Sequence, residues 1–355
     1  MIKFNTLSTP FFPKSSSQHL PVLATVPRSG TWFVRYSISF LCHLAAGGRI
    51  DDRLTGKIVG ARAGRPFDFE AFGGGPLFRV RDALPSEHLF IGHTVCPGFD
   101  RVAAEVPWWS ATDFHVPGYD YFHDGLDYAW TPVDLGEQRY TAVCPRTLDS
   151  SPWVDAGQRI VLVYRDPLSQ LDSFYHYSRT HAQAIYRTFE GRKLGEVPFE
   201  TFLFAGGLSS YAKQFMSYQT MAAHLPNQVR LVAYERLMAE PVEALADILS
   251  FLGAGADLDS NLLASAIELA RPEHLKAIEH ELGRSLDGTH SARHGHMRPS
   301  SARSVPNDAA RRAAIDCLLA YGLDPKYFAW NEAAEIPKMA EFVAKPMPAR
   351  RASSR

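Results

Sequence analysis

The sequence has few cysteines, almost no net charge and no long apolar run near its start. Only 4 of its 355 residues are cysteine, and no two of them form a CxxC pair. So few cysteines exclude a disulfide-based scaffold and suit a reducing compartment. The formal net charge is −1, from 37 basic and 38 acidic side chains, which argues against nucleic acid as the main partner.

The two ends of the sequence are predicted to lie outside a single folded domain. Residues 1–19 contain no apolar stretch long enough for a signal peptide or membrane anchor, so we expect a cytoplasmic protein without a transmembrane segment. This segment is predicted to be a loose lead-in, and the basic segment 338–355 a flexible tail. No domain-length break in composition or repeat divides the remainder.

What the sequence does contain is a short loop between a predicted strand and a predicted helix. Leu20 to Val26 is apolar and rich in β-branched residues, which is typical of a buried strand, and Trp32 to Leu44 has the apolar character of a buried helix. The first N–H groups of a helix lack partners within it and lie at the positive end of its dipole. The loop between the two elements therefore predicts a site for a phosphate or sulfate group.

Each residue type in this loop suits an anion. Arg28 supplies a permanent charge, Ser29 and Thr31 supply hydroxyl donors, and Gly30 allows backbone dihedrals that other residues avoid. The Walker pattern GxxxxGK[ST] is absent, so the loop is too short for the usual ATP or GTP cradle. The alternative is an ordinary strand-to-helix turn with a solvated arginine.

A second stretch repeats the arrangement of a buried strand followed by an arginine. Arg159 to Tyr164 predicts a strand, Arg165 follows at its carboxyl end, and Pro167 is suited to begin a helix. Ser173, eight residues after Arg165, lies about two turns into that helix and can face the same side as Arg165.

Together the two stretches resemble the cofactor motifs of sulfotransferases that use 3′-phosphoadenosine 5′-phosphosulfate (PAPS). VPRSGTWF resembles the 5′-phosphosulfate loop of that family, and YRDPLSQLDSFYHY resembles its 3′-phosphate motif. The residues that match the second motif position by position are Arg165, Asp166, Pro167, Ser173, Phe174 and Tyr175. The resemblance covers roughly residues 20–330. We predict one α/β domain there, with a central parallel β-sheet flanked by helices and a P-loop-like first turn.

A histidine between the two motifs is the candidate general base. Leu89 to Ile91 predicts a short buried strand, and His93 would follow at its carboxyl end, where open α/β sheets bind ligands. Cytosolic sulfotransferases have a strand ending in Lys-Thr-His, whose histidine is catalytic, and the resemblance assigns that role to His93. Ile91 and Gly92 replace the lysine and threonine. The alternative is a partly buried structural histidine.

The resemblance also implies further contacts with the nucleotide. Arg293, His294 and Gly295 take the place of a late Arg-Lys-Gly that folds over the nucleotide in the family. Trp32 stands where the family usually has threonine, and Tyr211 is a candidate for stacking on adenine, with core packing as its alternative. The resemblance implies that Arg165, Ser173 and Arg293 recognise the 3′-phosphate.

Residues 97–153 are predicted to form an aromatic-rich insertion. Aromatic rings beside carboxylates suit a sugar or aryl acceptor, and they equally suit packing of the insertion onto the core. His115 and His123 have no standard metal-ligand spacing, so a surface loop is favoured over a metal site. A loop is also predicted for Gly47 to Pro76, which is rich in glycine and charged residues.

These features predict a sulfotransferase that transfers the sulfuryl group of PAPS to a hydroxyl of a small-molecule, carbohydrate or lipid acceptor, without a metal. In this scheme His93 is the general base and Arg28 stabilises charge. One alternative is a small-metabolite kinase of the P-loop type, which would need Mg²⁺ and a Walker lysine. The other is a non-enzymatic protein that binds a nucleotide or glycan. The chain could form a homodimer, and its acceptor class stays open.

Overall fold

A computed structural model describes most of the core of the chain. The described residues are 21–50, 58–60, 65–66, 77–80, 88–93, 96, 121–123, 126–135, 138–145, 158–180, 198–203, 207–254, 258–282, 306, 308–328 and 330. The predicted lead-in, the predicted tail and the segment Arg293 to Gly295 lie outside them.

Eleven strands and nine helices are assigned within the described residues. The strands are β1 (Val22–Thr25), β2 (Arg49–Ile50), β3 (Ile58–Gly60), β4 (Arg65–Pro66), β5 (Leu77–Arg79), β6 (His88–Gly92), β7 (Tyr121–His123), β8 (Leu126–Leu135), β9 (Gln138–Pro145), β10 (Ile160–Tyr164) and β11 (Val229–Ala233). The helices are α1 (Thr31–Ala45), α2 (Pro167–Thr180), α3 (Phe199–Phe202), α4 (Leu208–His224), α5 (Tyr234–Ala239), α6 (Pro241–Phe251), α7 (Ser260–Leu269), α8 (Pro272–Leu282) and α9 (Asp308–Ala320).

The central sheet has five strands in the order β11-β10-β1-β6-β5. The first four are parallel, with Val22 of β1 paired to Ile160 of β10 on one side and to Phe90 of β6 on the other. The fifth strand, β5, is an antiparallel edge strand paired to β6. The predicted central parallel sheet is therefore confirmed, with one antiparallel strand added at its edge.

Helices cover both faces of this sheet, as predicted. Alternate residues of a strand point to opposite faces. Accordingly Val22 and Ala24 lie in a core with α2, α4 and α9, whereas Leu23 lies in a second core with α1, α6, α7 and α8. All three side chains are fully buried. Burial on both faces explains why these strands are continuous apolar runs rather than alternating ones.

Helix α2 begins at Pro167, as the sequence predicts, and the reason lies in the residue before it. The Oδ1 atom of Asp166 accepts a hydrogen bond from the backbone N–H of Ser169 at 2.9 Å, which is an N-cap contact. Its Oδ2 atom accepts a hydrogen bond from Nε1 of Trp330 at 3.0 Å. Asp166 therefore fixes the start of the helix that carries Ser173.

Two regions differ from the sequence-based expectations. The segment Gly47 to Pro76, predicted to be a loop, contains a small antiparallel sheet of β2, β3 and β4. Strands of two or three residues are too short to show a periodicity. The predicted insertion contains β7, β8 and β9 as a second antiparallel sheet, which its aromatic content alone does not indicate.

Within the described parts of the chain, no helix is both long enough and apolar enough to cross a membrane.

Candidate active site

The carboxyl ends of the four parallel strands bring residues from four distant parts of the sequence to one edge of the sheet. Thr25 ends β1, His93 follows β6, Arg165 follows β10 and Tyr234 follows β11. Strand β1 lies between β6 and β10, and the chain leaves it through the loop before α1. Ligands of open α/β sheets bind in the crevice at this edge.

The loop from β1 to α1 has the backbone shape of an anion site. Gly30 is the N-cap of α1 with φ 84°, and Arg28 also has a positive φ, of 68°. A positive φ is uncommon for a residue with a side chain, and such strain is concentrated at functional sites. The N–H of Ser29 donates to the carbonyl of Val26 at 3.0 Å and closes the turn, so the N–H groups available to an anion are those that lead into the start of α1. The predicted anion loop is thus folded as a concave backbone turn at a helix start.

The donors of this loop suit an anion. The Ser29 side chain is fully buried, and its Oγ atom has no hydrogen-bond partner among the described residues. A buried hydroxyl without a partner costs free energy, and a bound anion would remove that cost. In the described part of the chain no side chain caps the N-terminus of α1 either, so its first N–H groups can face the same anion.

Gly30 is required by a close approach as well as by its dihedrals. A Cβ atom on Gly30 would lie 2.7 Å from Cε2 and 2.8 Å from Cδ2 of Tyr234. Real side chains do not come so close, so any larger residue here would displace the ring or the loop.

The side chain of His93 is anchored to the end of β1. Its Nδ1 atom lies 2.8 Å from the carbonyl oxygen of Thr25 and 3.1 Å from Oγ1 of the same residue. A carbonyl oxygen can only accept, so Nδ1 carries the hydrogen and, in the neutral ring, Nε2 carries the lone pair. The imidazole is 3% exposed. The structure therefore fixes both the tautomer and the orientation of the predicted base.

Thr25 links the base to the anion loop. Its Oγ1 atom is 2.8 Å from Oγ1 of Thr31, the first residue of α1. If Thr25 donates its proton to Thr31, the hydroxyl of Thr31 keeps its own proton for a bound anion. The carbonyl of Thr25 also accepts a hydrogen bond from Nε2 of Gln214 at 3.0 Å.

The two predicted phosphate motifs meet through Arg28. Its Nε atom donates to Oγ of Ser173 at 3.4 Å, and its guanidinium carbon lies 5.1 Å from the ring centre of Tyr177. One turn earlier on α2, Nε2 of Gln170 donates to the carbonyl of Pro27 at 2.6 Å. Helix α2 therefore holds the loop in place and brings Ser173 to it.

Arg165 is held by one contact to its side chain and one to its backbone. Its guanidinium carbon lies 5.1 Å from the ring centre of Tyr234, and its carbonyl accepts a hydrogen bond from the Tyr211 hydroxyl at 2.6 Å. The Tyr211 ring is 2% exposed and stacks on Phe215 with 5.9 Å between centroids. Burial raises the pKa of Tyr211 well above its ordinary value. Stacking of Tyr211 on adenine stays a prediction.

Helix α1 places the buried side chain of Arg35 beside β6, the strand that precedes His93. Nη2 of Arg35 donates to the carbonyl of Ile91 at 2.9 Å, and this side chain is 1% exposed. Its guanidinium lies against Trp32, whose ring stacks on Tyr36 at 5.7 Å. The family has lysine at the position of Ile91. In this chain the backbone carbonyl of Ile91 binds an arginine from α1. A role for Trp32 in nucleotide binding stays a prediction.

The sequence did not single out Gln170 and Gln214 as parts of the site. Both are nearly fully buried on helices packed against the sheet. An amide side chain at a core-facing position is unusual, because burial of a polar group requires a hydrogen-bond partner. An amide at a core-facing position of a predicted helix is therefore the signal that could have indicated both glutamines. Among the described residues, no three His, Cys, Asp or Glu side chains come together as a metal ligand set.

Comparison with known proteins identifies one family. The family model described as "Sulfotransferase domain" matches residues 21–299. A search of curated proteins gave no match. Among solved structures, the chain is similar to mouse sulfotransferase SULT7A1 complexed with PAP, with 14% identity, coverage of 86% of this chain and 84% of that chain, and a TM-score of 0.40. It is also similar to retinol dehydratase in complex with androsterone and inactive cofactor PAP, with 13% identity, coverage of 84% and 78%, and a TM-score of 0.40.

Proposed function

Because the chain belongs to the sulfotransferase domain family, we propose that it transfers the sulfuryl group of PAPS to a hydroxyl group of an acceptor. The observation that carries this proposal is the meeting of the two predicted phosphate motifs, in which Arg28 of the loop donates to Ser173 of α2. A second observation supports it: His93 is anchored at the same edge of the sheet with Nε2 as its basic nitrogen.

The loop before α1 and the second motif bind different ends of the PAPS molecule. Arg28, Ser29, Gly30 and Thr31 bind the 5′-phosphosulfate through backbone N–H groups, hydroxyls and one guanidinium. Arg165 and Ser173 bind the 3′-phosphate, together with Arg293, His294 and Gly295 from outside the described residues. Recognition of a 3′-phosphate is what distinguishes PAPS from ATP.

Bound PAPS supplies the sulfuryl group and a bisphosphate leaving group, and the chain supplies charge and orientation. Sulfuryl transfer resembles phosphoryl transfer, in which the attacking and leaving oxygens lie roughly in line and catalysis depends on positioning and electrostatics. Arg28 stabilises the negative charge that develops on the departing 5′-phosphate. Arginine keeps its proton at all physiological pH values, so its role is electrostatic and not that of an acid.

His93 takes the proton of the acceptor hydroxyl on Nε2. The Nδ1–H bond to the Thr25 carbonyl holds the ring in the tautomer that a base needs, and that carbonyl stabilises the imidazolium formed during transfer. A neutral imidazole can accept a proton on its lone pair and release it after the sulfated product has left.

The acceptor is a hydroxylated small molecule, carbohydrate or lipid. The kinase alternative needs a Walker lysine, which the loop from Val26 to Thr31 lacks, and family membership disfavours it. The non-enzymatic alternative predicts that His93 is dispensable. A cytoplasmic location and a homodimer stay predictions.

The experiment is transfer of labelled sulfuryl from PAPS to a panel containing a phenol, a steroid-type alcohol, a sugar and a lipid alcohol. We compare wild type, His93→Gln and the control His224→Gln, which alters an exposed histidine at the end of α4. The expected result is transfer by wild type and the control, with a loss of about 10²-fold to 10⁴-fold in His93→Gln. Equal transfer by His93→Gln would remove the histidine from the mechanism.

A further inference from the structure

Trp330 contacts the second predicted phosphate motif, although it lies 164 residues beyond the residue that it contacts. Its Nε1 atom donates a hydrogen bond to Oδ2 of Asp166 at 3.0 Å. Asp166 stands between Arg165, which is predicted to bind the 3′-phosphate, and Pro167, the first residue of α2. Trp330 lies outside residues 21–299, which the family model matches. The tryptophan therefore reaches the nucleotide site from outside the matched region.

The peptide unit that joins Arg165 to Asp166 is held at both of its polar atoms. Its carbonyl oxygen, that of Arg165, accepts a hydrogen bond from the Tyr211 hydroxyl at 2.6 Å. Its N–H, that of Asp166, donates to Oε1 of Glu235 at 3.2 Å. A guanidinium on a long side chain binds a phosphate best when its backbone does not have to be ordered first. The backbone of Arg165 is therefore positioned before a nucleotide binds, and its position depends on Asp166.

The carboxylate of Asp166 links this peptide unit to α2. Its Oδ1 atom accepts from the N–H of Ser169, but the terminal torsion of an aspartate is broad, so one contact does not fix the carboxylate plane. The indole N–H of Trp330 is a donor without acceptor capacity, and it holds Oδ2. The two contacts together fix the carboxylate plane and the first turn of α2, the helix that carries Ser173.

The indole is a rigid donor, because the segment around it is packed into the core. Its ring stacks on the buried ring of Phe328 with 4.6 Å between centroids, and Phe328 packs against Phe215 at 4.9 Å. In the same segment the carbonyl of Tyr327 accepts a hydrogen bond from the Tyr164 hydroxyl at 2.9 Å. A donor whose position is set in advance loses little entropy when it makes its contact. Trp330 can therefore hold the Asp166 carboxylate in one orientation.

We propose that Trp330 is a positioning residue, whose indole N–H holds Asp166 and thereby strengthens the binding of nucleotides that carry a 3′-phosphate. Asp166 transmits the effect, because it joins Arg165 to the start of α2. This inference rests on the proposed function, because it concerns the same nucleotide site. The N–H of the indole carries the effect on binding, whereas the ring contributes packing.

The test is the ratio of the dissociation constants of adenosine 5′-phosphate and 3′-phosphoadenosine 5′-phosphate, measured by calorimetry. Wild type binds the bisphosphate more tightly. Trp330→Phe keeps an aromatic ring against Phe328 but removes the N–H, so the ratio falls roughly threefold to tenfold, as expected for loss of one hydrogen bond. Trp330→Met, which fills part of the same volume without an N–H, is the second variant if Trp330→Phe does not fold.

A matched control loosens the same segment at its other end. Nε2 of Gln219 donates to the carbonyl of Gly322 at 2.9 Å, and Oε1 of Gln219 accepts from the N–H of Asp324 at 2.8 Å. Gln219→Leu removes both contacts and should lower the free energy of unfolding, measured with urea. The ratio of dissociation constants should stay within about twofold of wild type, because the contact between Trp330 and Asp166 remains.

A double variant shows whether Trp330 acts through Asp166. Asp166→Ala removes the acceptor of the indole N–H, so adding Trp330→Phe in that background should change the ratio by less than about twofold. A further fall in the double variant, equal to the fall in Trp330→Phe alone, would mean that the tryptophan acts on the site by another route, and the inference would fail.

The remaining outcomes separate this inference from the proposed function. An unchanged ratio in Trp330→Phe and Trp330→Met would mean that the tryptophan only packs the core, and the proposed function would stand. An equal fall in Gln219→Leu would assign the effect to general loosening of the segment and overturn the inference. Failure of wild type to bind the bisphosphate in preference to adenosine 5′-phosphate would overturn the proposed function together with this inference.

Discussion

The Nδ1 atom of His93 lies 2.8 Å from the carbonyl oxygen of Thr25, across the boundary between two adjacent parallel strands. A backbone carbonyl cannot be removed by a side-chain substitution, so this contact is built into the pairing of β1 with β6. The neighbouring Oγ1 atom of Thr25, which bridges His93 to Thr31, can be removed.

Thr25→Val should lower kcat while leaving nucleotide binding unchanged. Valine has nearly the same shape as threonine but cannot hydrogen-bond to Nδ1 of His93 or to Thr31. Of the two, the hydrogen bond to His93 acts on the base, and its loss at an ordinary strength of about 1 kcal/mol corresponds to roughly a fivefold fall in kcat. Steady-state kinetics and calorimetry with the product bisphosphate check this together. A parallel loss of bisphosphate affinity would show that Thr25 acts on the loop and not on the base.

Gly30→Ala should abolish tight binding of the bisphosphate. The substitution forces a Cβ atom into the Tyr234 ring and places alanine at φ 84°. A loss of affinity of at least about tenfold is expected, because a non-glycine residue in this region costs about 1 kcal/mol or more before the steric contact is added.

The matched control for that substitution is Gly253→Ala. Gly253 also has a positive φ, of 107°, but no atom of the described residues lies within 4 Å of the position that a Cβ atom would take there. Gly253→Ala should therefore lower the free energy of unfolding without changing bisphosphate affinity. Equal binding losses in the two variants would show that the Tyr234 contact is irrelevant.

Asp166→Ala should destabilise the protein by about 1–2 kcal/mol, the usual effect of removing an N-cap. The substitution leaves the N–H of Ser169 and Nε1 of Trp330 without their partner. Asp166→Asn, which keeps an acceptor oxygen for one of the two donors, should lose less. Urea denaturation of both variants and wild type checks the order. If Asp166→Ala had the same free energy of unfolding as wild type, the N-cap role of Asp166 would be contradicted.

The free energy of unfolding should fall as the pH rises above about 10, the ordinary pKa of tyrosine. Burial raises the pKa of Tyr164 to about 12, with smaller contributions from Glu235 and Tyr327, and burial raises the pKa of Tyr211 as well. Since the folded-state pKa is raised, the stabilising contribution is complete below pH 10 and is lost as pH rises through the folded-state pKa.

Urea denaturation at pH 8 to 11 measures this dependence on wild type and on Tyr211→Phe. The variant removes one group with a raised pKa, so its free energy of unfolding should decline less steeply above pH 10. Identical slopes would mean that Tyr211 ionises in the folded protein as readily as in the unfolded chain.

Strands β1 and β10 could be predicted from sequence because each is buried on both faces, with every residue buried in the structure. Strand β11 lies at the edge of the sheet with Arg230 exposed, and its other residues are apolar enough to predict a strand. Arg28, Ser173 and His93 could also be predicted to converge, since each follows the carboxyl end of a parallel strand directly or through the next helix.

The supporting contacts could not be predicted in the same way. Gln214 and Tyr234 are distant in sequence from Thr25 and Gly30, and they contact a backbone carbonyl and a glycine, neither of which has a side-chain pattern to detect. The short strands β2 to β4 escaped prediction because their pairing, and not their own residues, defines them.

The most direct test of the account is calorimetric binding of 3′-phosphoadenosine 5′-phosphate, and of ATP without and with Mg²⁺, to wild type and Arg165→Ala. The account predicts tight binding of the bisphosphate that needs no metal and is lost in Arg165→Ala. Binding of ATP only with Mg²⁺, with no binding of the bisphosphate, would contradict it and would favour a kinase.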